Sequence, residues 1–232
     1  MIRGAIFDVD GTILDSMPIW DTSAQRYLKT LGITADKELG EILFPMSLEE
    51  GAAYVKERFH LSYSVEKIVS DITGVVEDFY RFEAPLKEGV REVLEWLSGQ
   101  QVKMAVATSG EKRLVEAAFE RIGILQYFEG ILTGADVGVG KTQPDIFYKA
   151  AQMTGSKPCE TLVFEDAFHA IRTAREAGFI VIGVYDESDI GQNTLIREYS
   201  NLYCKKMNEC IIELQELLFT GTIPRSVLLG TE

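Results

Sequence analysis

Histidine is nearly absent from this sequence, since its 232 residues include only His60 and His169. A metal centre built from several histidines, or a Ser-His-Asp triad, is therefore poorly supplied. Cysteine is rare as well, and Cys159, Cys204 and Cys210 are an odd number without the paired spacing of a zinc site. We expect three reduced thiols in a protein that is located in the cytoplasm.

Long apolar runs and positive charge are also lacking. No stretch of 18 apolar residues occurs, so no membrane partner or membrane span is expected, and the first four residues leave no room for a secretory signal. The chain has 23 Lys and Arg against 36 Asp and Glu, with a net charge of −13. This charge argues against nucleic acid as a partner. An anion site would have to be made locally positive by a metal, a lysine or helix N-termini.

Short apolar runs alternate with helical patterns from about residue 102 onward. This alternation predicts an α/β fold with a Rossmann-like, doubly wound parallel sheet. The predicted strands are 5–7, 102–107, 131–132, 161–164 and 180–184, with a weak strand soon after residue 201.

Residues from about 18 to 81 contain no convincing strand and show helical spacing instead. Ser47 and Glu50 have the spacing of a capping box, and Ser64 begins another helical pattern. This long helical stretch interrupts the alternating pattern directly after the first strand.

The sequence therefore predicts two parts. Residues 1–14 and 85–232 form the Rossmann-like core, and residues 15–84 form an inserted all-helical cap. An insertion at this point would stand over the active edge of the sheet as a lid. We expect the closing residues, 220–232, to be loosely packed.

Two carboxylates, Asp8 and Asp10, stand where the first strand ends, and Gly11 then turns the chain. Open α/β sheets bind their ligands at the carboxyl ends of the strands. Two acids at that edge suggest a hard metal ion, a covalent nucleophile or a proton-transfer pair. Taken alone, the motif is also compatible with an ordinary acidic turn.

Two alternative motifs fail on spacing. Counted from Asp8, an EF-hand calcium loop needs Gly at the sixth position and Glu at the twelfth, but Gly11 is fourth and Ile19 is twelfth. A phosphate-binding loop needs Gly five positions before Gly140, where this chain has Ala135.

Further polar clusters follow later predicted strands. Thr108 and Ser109 follow one strand, Glu165 and Asp166 end another, and Lys141 lies in a loop between them. Each cluster alone has an ordinary explanation: Ser109 could be a helix N-cap, the lysine a surface charge and the acidic pair a solvated turn.

Taken in order, these clusters resemble the four signature motifs of the haloacid dehalogenase superfamily, in the subgroup with a helical cap that includes phosphoglycolate-phosphatase-like and β-phosphoglucomutase-like enzymes. The resemblance implies that Asp8 is the phosphoryl-accepting nucleophile and Asp10 the general acid and base. It also implies that Thr108, Ser109 and Lys141 bind the phosphoryl oxygens.

The same resemblance implies a Mg²⁺ cofactor. Its ligands would be the carboxylates of Asp8 and Asp166 and the backbone carbonyl of Asp10, with Glu165 acting through water. One departure from the family pattern is Thr142, which replaces a proline after the motif lysine and concerns loop stiffness more than chemistry.

The implied activity is a Mg²⁺-dependent phosphatase that acts on a small phosphorylated metabolite. Asp10 favours phosphoryl transfer over dehalogenation, because halide needs no protonation. Mutases of this subgroup carry a histidine where this chain has Trp20, and basic residues where it has residues 43–48, which favours the phosphatase. The apolar character of Trp20, Phe44 and Met46 is equally consistent with packing in the core of the cap, so these residues indicate no particular substrate. A sugar-phosphate mutase and a non-enzymatic phospho-ligand binding module remain alternatives.

Overall fold

The computed structural model describes residues 2–43 and 45–220. Six strands form one sheet in the order β3-β2-β1-β4-β5-β6, and every neighbouring pair is parallel. The strands are β1 Gly4–Phe7, β2 Lys103–Thr108, β3 Phe128–Thr133, β4 Thr161–Glu165, β5 Ile180–Val184 and β6 Leu202–Cys204. The predicted α/β fold with a doubly wound parallel sheet is confirmed.

Eleven α-helices occur in the described part of the chain. They are α1 Pro18–Thr30, α2 Leu39–Leu43, α3 Leu48–Arg58, α4 Val65–Asp78, α5 Val90–Gly99, α6 Lys112–Ile122, α7 Gly134–Val137, α8 Asp145–Thr154, α9 Phe168–Glu176, α10 Asn193–Tyr199 and α11 Ile211–Thr220. Across residues 2–43 and 45–220, none of the helices combines the length and the apolar character that a membrane crossing requires.

The chain divides into two compact units. One runs to Asp15 and resumes at Pro85, and the other is Ser16–Ala84. The first unit contains the sheet and helices α5 to α11, whereas the second contains helices α1 to α4 and a π-helical turn, Phe79–Glu83.

Helix starts in the second unit follow from their capping residues. Ser47 accepts a hydrogen bond from the backbone N–H of Glu50, whose side chain bonds back to the Ser47 N–H, so the predicted capping box is confirmed. Ser64 caps α4 by accepting a hydrogen bond from the Lys67 N–H. Phe44 and residues 221–232, on which we based expectations about packing, lie outside the described residues.

Alternating residues of the central strand β1 bury the two faces of the sheet. Ile6 packs in a cluster with Phe147 of α8 and Ile171 of α9. Its neighbour Phe7 stacks on Phe164 of β4 with ring centroids 4.3 Å apart. Because helices cover both faces, β1 and β4 are buried throughout, and only their carboxyl ends can carry polar chemistry.

The expectation of three reduced thiols is wrong for two of them. Cys204 ends β6 and Cys210 ends the following 3₁₀ turn, and the structure joins them in a disulfide with their Cα atoms 5.9 Å apart. The turn folds the six-residue separation back on itself, which brings the sulfurs together. Cys159 is an exposed free thiol.

The stacked phenylalanines give a stability prediction. Phe164→Ala should lower the free energy of unfolding by about 3–5 kcal/mol, because it leaves a cavity at the centre of the sheet and removes an aromatic contact. Urea denaturation followed by circular dichroism measures this loss. Ile212→Ala is the control, because Ile212 is 69% exposed and should change the same quantity by less than about 0.5 kcal/mol. Equal effects of the two substitutions would contradict the assignment of the core.

Candidate active site

Four polar groups meet at the carboxyl edge of the sheet, around β1. Asp8 follows β1, and Thr108 ends the neighbouring strand β2. On the other side Glu165 ends β4, and Asp166 follows it directly. The chain winds outward from β1 in both directions, to β2 and β3 on one side and to β4, β5 and β6 on the other. Such a switch point is the usual ligand site of an open parallel sheet.

Lys141 joins two of these strand ends. Its ammonium donates a hydrogen bond to Asp8 Oδ1 and another, of 2.8 Å, to Glu165 Oε2. All three side chains are at least nine-tenths buried. The second carboxylate oxygen of Glu165 accepts a hydrogen bond of 3.1 Å from the Ala167 N–H. The lysine therefore neutralises part of a carboxylate cluster that is almost entirely buried.

Burial and charge act in opposite directions on this cluster. Burial raises the pKa of Asp8 to about 6; Lys141 opposes the shift, and Glu165 adds to it. Burial lowers the pKa of Lys141, but the carboxylates of Asp8 and Glu165 outweigh burial and hold it above its ordinary value. Burial also raises the pKa of Asp166 well above its ordinary value, with further contributions from Asp8 and Glu165. One ammonium does not balance three carboxylates, so the site has an excess of negative charge.

The turn after β1 closes around Asp166. The hydroxyl of Thr12 donates a hydrogen bond of 2.8 Å to Asp166 Oδ1. Gly11 has a φ of +81°, and a Cβ there would overlap Asp166 Oδ2. Glycine is therefore required both for the backbone conformation and for the close approach of the carboxylate. The sequence predicts no role for Thr12 beyond its place at the end of the pattern Asp-x-Asp-Gly-Thr.

The donor set suits a small, hard divalent cation. Carboxylate oxygens of Asp8, Glu165 and Asp166 all lie within 4.8 Å of one another, and the three residues are buried. Oxygen donors of this kind are the ones that magnesium takes in proteins. Both Glu165 oxygens accept hydrogen bonds, whereas Asp166 accepts one through Oδ1 from Thr12, so Asp166 is better placed than Glu165 to bind a cation directly.

The side chains of Thr108 and Asp10 both lie beside Gly110. Thr108 Oγ1 accepts a hydrogen bond of 2.9 Å from the Gly110 N–H, so its hydroxyl hydrogen can serve a second acceptor. A Cβ on Gly110 would lie 3.3 Å from Thr108 Oγ1 and 3.4 Å from Asp10 Oδ2. A hydroxyl donor and a half-buried carboxylate thus stand close together beside the buried cluster.

Ser109 is not a helix N-cap, which corrects the alternative explanation for that residue. Helix α6 begins at Lys112, its N-cap is Glu111, and no side chain caps it. The turn at Gly110 delays the helix, so Ser109 lies outside the first helical turn. Its side chain is exposed, unlike the buried Thr108 beside it.

The electrostatics predict opposite effects of two conservative substitutions. Asp166→Asn should raise the free energy of unfolding by about 0.5–2 kcal/mol in metal-free buffer, because it removes repulsion and keeps the Thr12 contact. Since the folded-state pKa of Asp166 is raised, the cost of its charge is fully present above that pKa. The gain should therefore be largest at alkaline pH and shrink as the pH falls.

The matched control is Asp186→Asn. Asp186 is equally buried but accepts a hydrogen bond of 2.6 Å from the Lys87 ammonium, and its loss should destabilise the protein by about 2 kcal/mol. Thermal and urea unfolding with a chelator measure both changes. Destabilisation by Asp166→Asn at pH 8 would contradict an excess of negative charge in the cluster.

Comparison with known proteins places this geometry in a family. A family model described as haloacid dehalogenase-like hydrolase matches residues 5–184. A phosphorylated carbohydrates phosphatase from Thermotoga maritima is 28% identical over 221 residues, which cover 94% of this chain and 100% of that protein. A beta-phosphoglucomutase from Bacillus subtilis is 26% identical over 225 residues, which cover 90% of this chain and 95% of that protein.

The fold has a close match among solved structures. The crystal structure of a provisionally named beta-phosphoglucomutase from Thermotoga maritima superposes with a TM-score of 0.82, covering 93% of this chain and 100% of that chain. At 24% identity this likeness bears on the fold alone. Because the family model spans more than half of the sequence and includes the strand ends that carry Asp8, Thr108 and Glu165, the chain belongs to the haloacid dehalogenase-like hydrolases.

Proposed function

We propose that this protein is a Mg²⁺-dependent phosphatase that hydrolyses a small phosphomonoester through an aspartyl-phosphate intermediate. The observation that carries the proposal is the contact of the buried Asp8 carboxylate with the Lys141 ammonium, within 4.8 Å of a carboxylate oxygen of Asp166. A carboxylate between a fixed ammonium and a cation-binding group can approach a phosphate dianion, because positive charge on both sides offsets the repulsion between the two anions.

Asp8 is the proposed nucleophile. Repulsion between a carboxylate and a phosphate dianion would ordinarily keep the two apart, and the neighbouring ammonium of Lys141 offsets that repulsion. A carboxylate oxygen attacks phosphorus, the bond from phosphorus to the leaving oxygen breaks, and Asp8 becomes the aspartyl phosphate.

Lys141, Thr108 and Ser109 are the proposed phosphoryl ligands. Lys141 supplies positive charge, and the hydroxyl of Thr108 has its hydrogen available because its oxygen already accepts from Gly110. Ser109 follows Thr108 directly and contributes its backbone N–H. Donors fixed before the substrate arrives stabilise charge on the transferring group without reorganisation.

Asp10 is the proposed general acid and base. It protonates the leaving alkoxide in the first step, and it then takes a proton from the water that hydrolyses the aspartyl phosphate. Its position supports this role, because an Asp10 carboxylate oxygen and the hydroxyl of Thr108, a proposed phosphoryl ligand, both lie close to Gly110.

Asp8 and Asp166 would hold Mg²⁺ directly, with the Asp10 carbonyl as a third ligand and Glu165 acting through water. When bound, the ion supplies positive charge to the phosphoryl oxygens and offsets the carboxylate excess. The residues of the chain do the rest: Thr12 orients Asp166, and Lys141 orients both Asp8 and Glu165.

Sugar phosphates are the proposed substrate class to test first. The phosphorylated carbohydrates phosphatase of Thermotoga maritima matches this chain along nearly its whole length. We assign selection of the leaving group to the helical unit, Ser16–Ala84, as the cap of the enzyme. Trp20 of α1 and the absence of Lys or Arg in residues 43–48 support a phosphatase over a mutase.

The nucleophile prediction compares two aspartates in one loop. Asp8→Asn should lower phosphate release by at least roughly 1,000-fold, because an amide cannot form the aspartyl phosphate. Asp15→Asn is the control, since Asp15 is exposed, and should retain activity within about twofold. Phosphate release from a panel of sugar, nucleotide and small-acid phosphates measures both. Full activity of Asp8→Asn would refute the covalent mechanism.

The stoichiometry of the same assay separates a phosphatase from a mutase. A phosphatase releases one phosphate for each ester consumed, whereas a mutase consumes one sugar phosphate and forms another without net release. The similarity to the beta-phosphoglucomutase of Bacillus subtilis makes the mutase the second candidate. Isomer formation with little phosphate, measured with added sugar bisphosphate, would favour it. Tight binding without turnover would favour a phospho-ligand binding module.

The cofactor prediction has a readout other than activity. Phosphate release should stop with a chelator and return with Mg²⁺. Mg²⁺ should also raise the unfolding temperature of the wild type, because an ion that binds only the folded state stabilises it. Asp166→Asn should lose most of this shift, whereas Asp15→Asn should retain it. An equal Mg²⁺ shift in Asp166→Asn would contradict the assigned ligand.

A further inference from the structure

A second lysine lies beneath the turn that follows β1. The ammonium of Lys87 donates hydrogen bonds of 2.6 Å to the Gly11 carbonyl, 2.7 Å to the Tyr185 carbonyl and 2.6 Å to Asp186 Oδ2. Its side chain is only 15% exposed. Because an ammonium has three donors, all of them are used within the protein. Lys87 therefore has no donor left for a substrate phosphate, in contrast to Lys141.

The backbone brings Lys87 to this turn. The Lys87 N–H donates to the Ile13 carbonyl at 2.9 Å, and the Asp15 N–H donates to the Pro85 carbonyl at 3.0 Å. Leu14 and Leu86 form an isolated antiparallel bridge between these two hydrogen bonds. Two segments far apart in sequence are thereby held side by side within the sheet-containing unit.

With Lys87 in place, both peptide groups that flank Gly11 are fixed. The Gly11 N–H donates to the Leu14 carbonyl at 3.0 Å, which sets the peptide shared with Asp10. The Gly11 carbonyl accepts from Lys87, which sets the peptide shared with Thr12. The backbone at Gly11 lies in the left-handed region, where glycine is intrinsically mobile, so these two contacts replace the stiffness that a side chain would give.

Asp186 keeps the charge of Lys87 balanced. Burial would raise the pKa of Asp186, but hydrogen bonds from Lys87 and from Ser188 outweigh burial and hold that pKa below its ordinary value. A balanced ion pair adds no net charge to the site. The contribution of Lys87 is therefore directional, since its N–H groups donate to the carbonyls of Gly11 and Tyr185.

We propose that Lys87 is a positioning residue for the reaction, which fixes the turn Asp10–Gly11–Thr12 against Asp166. It acts through the Gly11 carbonyl on the two neighbouring residues. One is Asp10, the proposed acid and base, and the other is Thr12, which contacts Asp166. The effect on catalysis rests on the proposed function. The effect on the turn and on cation binding does not.

The test compares Lys87 with a control lysine, Lys206. Lys87→Met removes the ammonium and keeps the length of the side chain. Lys206→Met is the control, because Lys206 forms an exposed 2.8 Å ion pair with Glu88, the neighbour of Lys87. Lys87→Met should lower kcat about tenfold with KM within about twofold, and Lys206→Met should change neither. Lys87→Arg should recover part of the loss, since it restores a cationic donor.

Two measurements do not depend on activity. Amide hydrogen exchange of residues 9–14 in metal-free buffer should accelerate at least fivefold in Lys87→Met and remain unchanged in Lys206→Met. The Mg²⁺ concentration that gives half of the thermal shift should rise severalfold in Lys87→Met alone. If the wild type releases no phosphate, the proposed function fails, and these two results still decide the role of Lys87.

A second variant distinguishes the loss of positioning from a general folding defect. Lys87→Met combined with Asp186→Asn leaves no unpaired buried carboxylate, so it should unfold later than Lys87→Met while keeping the faster exchange at residues 9–14. Unchanged exchange and an unchanged Mg²⁺ midpoint in both variants, with activity falling only as folded protein is lost, would overturn the positioning role.

Discussion

The site depends on one buried ammonium, that of Lys141, which is shared by carboxylates from two different strands. Three buried carboxylates within 4.8 Å of one another would not tolerate their charges together without it. One ammonium compensates only part of the negative charge of three carboxylates, and the charge that remains bears on function. An acidic cluster with an excess of negative charge attracts a cation, and an ammonium beside a carboxylate reduces the repulsion that an incoming anion meets. Both properties come from one group of four side chains, those of Asp8, Lys141, Glu165 and Asp166.

Much of this arrangement could be predicted from the sequence, because the site lies at strand ends. Buried parallel strands are apolar throughout, so the first polar residues after them are at the carboxyl edge. Asp8, Thr108 and Asp166 are all recognisable in this way. Lys141 was recognisable only by its position in the family pattern, since a lysine in a loop has no local signal. The order of the strands also had no local signal, and it is the order that places β2 and β4 on either side of β1.

The contacts that the sequence did not predict join residues far apart in the chain and follow no periodic pattern. Thr12 and Lys87 bond to partners 154 and 76 residues away in the chain, at Asp166 and Gly11. A hydroxyl in a turn or a lysine before a helix is ordinary in composition, and only the folded chain shows its partner. The pairing of Cys204 with Cys210 was missed for a related reason, because a separation of six residues becomes a close approach only when a 3₁₀ turn follows the strand.

Lys141 and Lys87 meet different requirements of the site. Lys141 lies among an excess of carboxylates and is the cation that reaches Asp8, whereas Lys87 is paired with Asp186 and directs its donors at backbone carbonyls. The two environments could not be exchanged. A lysine already neutralised by its own carboxylate could not offset the repulsion between Asp8 and a phosphate dianion, and an unpaired lysine near Gly11 would add to the desolvation cost. In a chain with a net charge of −13, positive charge is limited. In the proposed mechanism, Lys141 takes part in the chemistry, and Lys87 holds the geometry of the turn on which that chemistry depends.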